Sequence, residues 1–228
     1  MIINNKKAYF VKNETRNNTN TKKYNLLNNN FIFEATFKFI PIEETTQNEF
    51  CVIGRTGYNM GIFTQSTDAI KWCWWEVDTN GNHTYHDIFV NGVDNSGIDN
   101  QQKNKIKVIK SNNKFTLYLN DEFYSEKEII NNLHDYSEQT IFIGVANPYS
   151  IDDNMYWFNG DIYETKIYHS DIETTDNLYL WYDFKNNSKF KTFDKSGNGN
   201  HGQLYETEEF IHQKNLEFNK FARPAKII

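Results

Sequence analysis

Phe31-Ile32-Phe33-Glu34-Ala35-Thr36-Phe37-Lys38-Phe39 places Phe31, Phe33, Ala35, Phe37 and Phe39 on one side of an extended chain and Glu34, Thr36 and Lys38 on the other. Alternation at period two is the mark of a half-buried β-strand. Comparable apolar runs follow at Phe50 to Gly54, Met60 to Thr64, Ala69 to Val77, Tyr85 to Val90, Lys105 to Lys110, Phe115 to Leu119, Thr140 to Val145 and Asp161 to Tyr168. Asn, Gly, Asp or Ser bounds each of them, so the chain reads as all-β, an antiparallel sandwich or barrel. Lys105 to Ser125 reads as three strands joined by two tight turns. Helix is expected only in short pieces, around Ser125 to Leu133 and Asp171 to Asn177.

The 228 residues suit one large β-sandwich, and 38% hydrophobic with 16% aromatic residues is enough to build its core. A net charge of -6 argues against nucleic acid as a partner, because neutralising phosphates takes clustered Lys and Arg. No run of about 18 apolar residues is present, and Met1 to Lys6 lacks the apolar core of a signal peptide, so neither a membrane span nor export by that route is expected. Cys51 and Cys73 are expected to be two reduced, buried thiols, with one disulfide as the other reading.

Three motifs resemble the concanavalin A-like, laminin-G-type lectin/glucanase superfamily. Phe158, Gly160, Ile162, Ile167 and Tyr168 are similar to its closing F-x-G-x-I strand, and Phe31 to Phe39 to an early strand. Leu180-Trp181-Tyr182-Asp183-Phe184, followed by Asp194-Lys195-Ser196-Gly197-Asn198-Gly199-Asn200-His201-Gly202, is similar to its Y-x-F … D-x-S-G-N-G-N-x-G element. That element usually opens the domain, and here it comes last. The resemblance therefore implies a concanavalin A-like jelly roll, circularly permuted. Residues 1–177 would form the lectin-like sandwich, and 178–228 would supply strands that close it beside Ala8 to Val11, or that close a neighbouring subunit.

The paired strand carboxylates of the superfamily's glycan hydrolases are not found. Glu76-Val77-Asp78 is the nearest approach and lacks the third acid, so a non-enzymatic protein is expected. In Lys71-Trp72-Cys73-Trp74-Trp75-Glu76, Trp72 and Trp74 share one face and Trp75 the other. Three readings stand: core, a protein-partner surface, or an aromatic glycan platform of Trp72, Trp74, Trp75 and Tyr85. Calcium is the candidate cofactor, held at Asp152 and Asp153 or at Asp194 and Asn198, where oxygen-bearing side chains recur at alternate positions. An Asn/Gly-rich turn is the other reading of the second loop.

The resemblance and the missing export signal together point to a virion surface protein, a bacteriophage fibre or capsid decoration subunit. Such a subunit would be made in the host cytoplasm, form a homo-oligomer with other virion proteins and hold host or mucosal glycans. A bacterial carbohydrate-binding or adhesion module, extracellular or at the cell surface, is the alternative. An atypical glycoside hydrolase is the third reading.

Overall fold

The computed structural model describes residues 7–11, 29–39, 49–55, 60–65, 69–90, 102–134, 141–146, 156–158, 160–184 and 191–206. In chain order the strands are β1 Lys7–Val11, β2 Phe31–Phe39, β3 Glu49–Arg55, β4 Met60–Gln65, β5 Ile70–Val77, β6 His83–Val90, β7 Asn104–Ser111, β8 Lys114–Leu119, β9 Glu122–Glu128, β10 Asn132–Leu133, β11 Ile141–Ile143, β12 Val145–Ala146, β13 Tyr156–Trp157, β14 Gly160–Tyr168, β15 Leu178–Tyr182, β16 Lys191–Thr192 and β17 Gly202–Glu206. All pair antiparallel.

Two large sheets result. The first runs β10-β5-β4-β3-β11-β1-β17-β16, with β6 on the other edge of β5, and the second runs β15-β14-β2-β7-β8-β9. Alternation decides how they stack. The odd-numbered aromatics of β2 face Trp72 and Trp74 of β5, with ring centroids 5.6 Å apart for Phe33 and Trp72. Phe115 of β8 lies 5.3 Å from Trp72 and 4.7 Å from Trp74. This is a two-sheet antiparallel jelly-roll sandwich whose core is the interdigitated inner faces.

The tight turn Asn120-Asp121 has left-handed backbone at both positions (φ +52° and +70°), which matches the twist of the β8–β9 hairpin. Gly160, the glycine of the F-x-G-x-I motif, is required where it stands. Its φ is +145°, and an added Cβ would lie 2.2 Å from the Lys38 carbonyl oxygen. Gly160→Ala should therefore cost about 2–3 kcal/mol in denaturant unfolding, whereas an unchanged midpoint would show that β2 and β14 tolerate separation there.

Ser125 to Leu133 is not helix but the end of β9, a three-residue link and β10. Ser125, Glu126, Lys127 and Glu128 pair with β8, and β10 then pairs with the end of β5. Long-range ladders override a local helical preference here. Of the second helical suspect only a 3-10 turn, Thr175–Asn177, forms. The run Thr140 to Val145 is broken at Gly144 (φ +82°), whose N–H donates to the Val52 carbonyl at 3.0 Å.

The C-terminal strands join both sheets of their own chain, β15 beside β14 and β17 beside β1. Cys51 and Cys73 are buried free thiols on β3 and β5. Strand β4 lies between them, so their Cα atoms stand roughly 10 Å or more apart, beyond disulfide reach. Burial, reinforced by Cys73 nearby, pushes the Cys51 thiol up, so both behave as small hydrophobes. Among the described residues no helix is long and apolar enough to cross a membrane.

Candidate functional site

The outward side chains of the second sheet fall into register across all its strands. Phe123 of β9 stands opposite Tyr118 of β8, Tyr118 opposite Lys107 of β7, Lys107 opposite Glu34 of β2, Glu34 opposite Lys166 of β14, and Lys166 opposite Trp181 of β15. Six strands at the usual spacing make this row roughly 24 Å long. It has aromatic rings at both ends and charges in the middle.

Glu34 is its centre. At 3% exposure it is nearly buried, and each oxygen has its own cation: Lys166 Nζ at 3.4 Å from Oε1 and Lys105 Nζ at 3.2 Å from Oε2. Lys166 also reaches Glu164 at 2.9 Å, Lys105 reaches Asp121 at 2.8 Å, and Lys107 reaches Glu173 at 2.7 Å. Burial works against the charge on Lys166, but its hydrogen bond to Glu164 and the charges of Glu34 and Glu164 outweigh it, and its pKa is raised. Burial likewise opposes the charge on Lys105, and its bonds to Asp121 and Glu34 prevail, raising its pKa too. Both stay cationic at neutral pH.

The terminal rings are oriented by the same groups. Trp181 Nε1 donates to Glu164 Oε1 at 2.8 Å, and the Lys166 ammonium lies 5.5 Å from the indole centroid. Lys107 lies 5.3 Å from the Tyr118 ring, which meets Phe123 edge-on at 6.2 Å. Phe123 is 60% exposed. The side chains are thus ordered before any ligand arrives, which lowers the entropy cost of binding. The Lys107 and Lys166 ammonium groups flank the Glu34 carboxylate, so donors stand beside an acceptor in the middle of the row, which suits a ligand whose hydroxyls both give and take hydrogen bonds.

The residues expected from the sequence distribute differently. Trp72 and Trp74 are fully buried between the sheets, so neither presents a face to a ligand and the platform is corrected at these two positions. An inner-face indole completes the core because β2 and β8 supply aromatic partners. Trp75 and Tyr85 lie on the opposite, outer face of β5 and β6, half-buried and 5.4 Å apart.

Glu76 is fully buried. Its Oε1 accepts the Trp74 indole N–H at 2.9 Å, and its Oε2 accepts the backbone N–H groups of Ile130 (3.1 Å) and Asn131 (2.7 Å). Asp78 accepts from Asn80 and Asn82 and closes its own turn. The two carboxylates hold structure together, and Glu76 has no path to a substrate.

Asp194 and Asn198 act on an edge strand. Asp194 Oδ1 accepts the N–H groups of Trp181 (3.0 Å) and Ser196 (2.9 Å), and Oδ2 accepts the Ser196 hydroxyl (2.8 Å) and the Asn200 N–H (2.9 Å). Asn198 Nδ2 donates to the Leu178 and Tyr179 carbonyls, and Asn200 Nδ2 donates to Tyr179 as well. Lys195 N–H donates to the Trp181 carbonyl at 2.8 Å. The D-x-S-x-N-G-N loop thereby satisfies the free edge of β15 as a neighbouring strand would. With the Asp194 oxygens accepting from four donors, this loop is an Asn/Gly-rich turn that caps a sheet edge. Asp152 and Asp153 lie outside the described residues. Among the described residues no group of three or more His, Cys, Asp or Glu is placed to hold a metal ion.

No family model matches the chain, and no curated protein matches it in sequence. Solved structures do share its shape. A candidate carbohydrate-binding protein from Bacteroides ovatus superposes with a TM-score of 0.56 at 14% identity, over 87% of this chain and 58% of that one. The chain thus spans little more than half of that structure's length. The likeness establishes the two-sheet fold. The CBM40 domain of the Ruminococcus gnavus IT-sialidase aligns at TM-score 0.49 and 10% identity over 67% of this chain and 82% of that domain. The binding domain of botulinum neurotoxin serotype G aligns at 0.44 and 16% over 65% and 35%.

Sequence alternation marks Glu34, Lys105 and Lys107 as outward. It carries no signal that they meet Lys166, Trp181 and Tyr118 in one row, which follows from strand order.

Proposed function

We propose that the protein is a non-catalytic carbohydrate-binding module that holds a neutral glycan along the row from Trp181 to Phe123. The observation that carries this is the composition of the row: rings at its ends for sugar faces, and pre-paired ammonium and carboxylate groups between them for hydroxyls. The fold shared with a candidate carbohydrate-binding protein supports the reading. Every lysine of the row has an acid or an aromatic ring beside it, so the face has little spare charge for an anionic polymer. The glycan-holding part of the expectation from sequence has this row behind it; the virion-surface part has no comparable observation.

The test is affinity electrophoresis of the whole chain through barley β-glucan, xyloglucan, galactomannan and mannan. At least one should retard it, equally at low and high salt, and Phe123→Ala and Trp181→Ala should each weaken retardation roughly tenfold. Retardation only by heparin and lost at high salt, or none by any polysaccharide, would overturn the proposal.

A further inference from the structure

The opposite face of the sandwich carries a second array. On β6, Tyr85, Asp87 and Phe89 alternate outward, facing Trp75, Cys73 and Lys71 of β5. Trp75 and Tyr85 pack edge-to-face at 67°, and Phe89 is 37% exposed. Lys71 lies beside the array on the same face and, like Cys73 and Phe63 next to it, is buried. It is 2% exposed, its ammonium donates to the Tyr85 hydroxyl at 2.8 Å, and it sits 5.4 Å from the Tyr85 ring and 5.9 Å from the rings of Phe63 and Phe89. The indole N–H of Trp75 and the carboxylate of Asp87 meet no partner among the described residues. An indole donor and a carboxylate acceptor, with aromatic faces on either side, is a recognition set for a sugar ring and its hydroxyls.

We propose that this face is a second saccharide site, so that a single chain bridges two glycan chains from opposite sides of the sandwich. The inference rests on the glycan reading of the first row. The sheets are stacked about 10 Å apart, with an aromatic core between them, so no single sugar reaches both faces and the two sites act independently. The ligand class is the same, a neutral sugar. Asp87 favours hydroxyl donors and disfavours a carboxylated or sulfated ring. Bridging is a function that one row alone does not supply.

The test uses the whole chain, its mass in solution checked by light scattering, with whichever of the four polysaccharides above retards it, and a short oligosaccharide of the same linkage. Calorimetry should give two oligosaccharides per chain, and mixing with the polysaccharide should raise turbidity. Trp75→Ala should leave one oligosaccharide per chain and abolish turbidity, and Trp181→Ala should do the same from the other side. Asp87→Ala, which removes no packing, should weaken the second site roughly tenfold even if Trp75→Ala folds poorly.

One oligosaccharide per wild-type chain, lost in Trp181→Ala and indifferent to Trp75→Ala and Asp87→Ala, would overturn bridging while leaving the first row standing. Turbidity unchanged in both Trp75→Ala and Asp87→Ala would overturn it as well, since cross-linking would then come from association of chains. No binding to any polysaccharide would overturn both proposals.

Discussion

Trp74→Ala is expected to remove most of the protein's stability. The indole is fully buried, 4.7 Å from Phe115 and stacked 5.4 Å from His86. Deleting it leaves a large cavity, for which about 3–5 kcal/mol is typical. It also strips Glu76 Oε1 of its indole donor inside the protein, adding roughly 1–3 kcal/mol for a buried acceptor left short. Against a typical domain stability of about 5–15 kcal/mol, the variant should be marginal at room temperature. Urea unfolding followed by far-UV circular dichroism measures it, and Trp74→Phe should fall between variant and wild type. Trp75→Ala, one residue away on the outer face, should cost about 1 kcal/mol or less. Equal losses at the two positions would contradict the assignment of faces.

Asp194→Ala is the second large effect. Four donors lose their acceptor together, and Trp181 loses the group that holds its backbone N–H. Counting about 1 kcal/mol per bond, with some recovered by water, the loss should be about 3 kcal/mol. A second consequence separates this from ordinary destabilisation. Once the loop lifts away, Leu178–Tyr182 presents an unpaired apolar edge, and the variant should associate with rising concentration where the wild type does not change. Unfolding midpoints and light scattering over a concentration series check both. A loss below about 1 kcal/mol with no change in association would show that the loop follows the edge rather than protects it.

Strand positions were largely legible in the sequence. Phe31–Phe39 has the bounds its alternation predicts, and the runs on β4, β7 and β8 differ from expectation by a residue at one or both ends. Ser125 to Leu133 was misread because its partners, β8 and the end of β5, are brought to it by the chain's path and not by neighbouring residues. The candidate site was legible only in parts. Alternation turns Glu34 and Lys107 outward, but Lys166 and Phe123 reach the same row through irregularities between Ile162 and Glu164 and between Leu117 and Tyr118. An extra residue in a strand exchanges its faces, so two bulges decide which side chains line up.

By itself the sequence determined where most of the strands lie, that they form two antiparallel layers, and which residues share a face within an unbulged strand such as Phe31–Phe39. It could not say which face of Lys71 to Glu76 is core, because both carry tryptophan and period two distinguishes sides without ranking them. The tertiary structure decided that question. Aromatics of β2 and β8 meet Trp72 and Trp74, leaving Trp75 outside. Packing also gave Asp194 and Asn198 their role, since the β15 backbone groups they satisfy lie 13 and 20 residues back in the chain and meet the loop only in the folded structure. Local alternation is a property of single strands; rows, edges and cores are properties of pairs, and pairs exist only once the chain has folded.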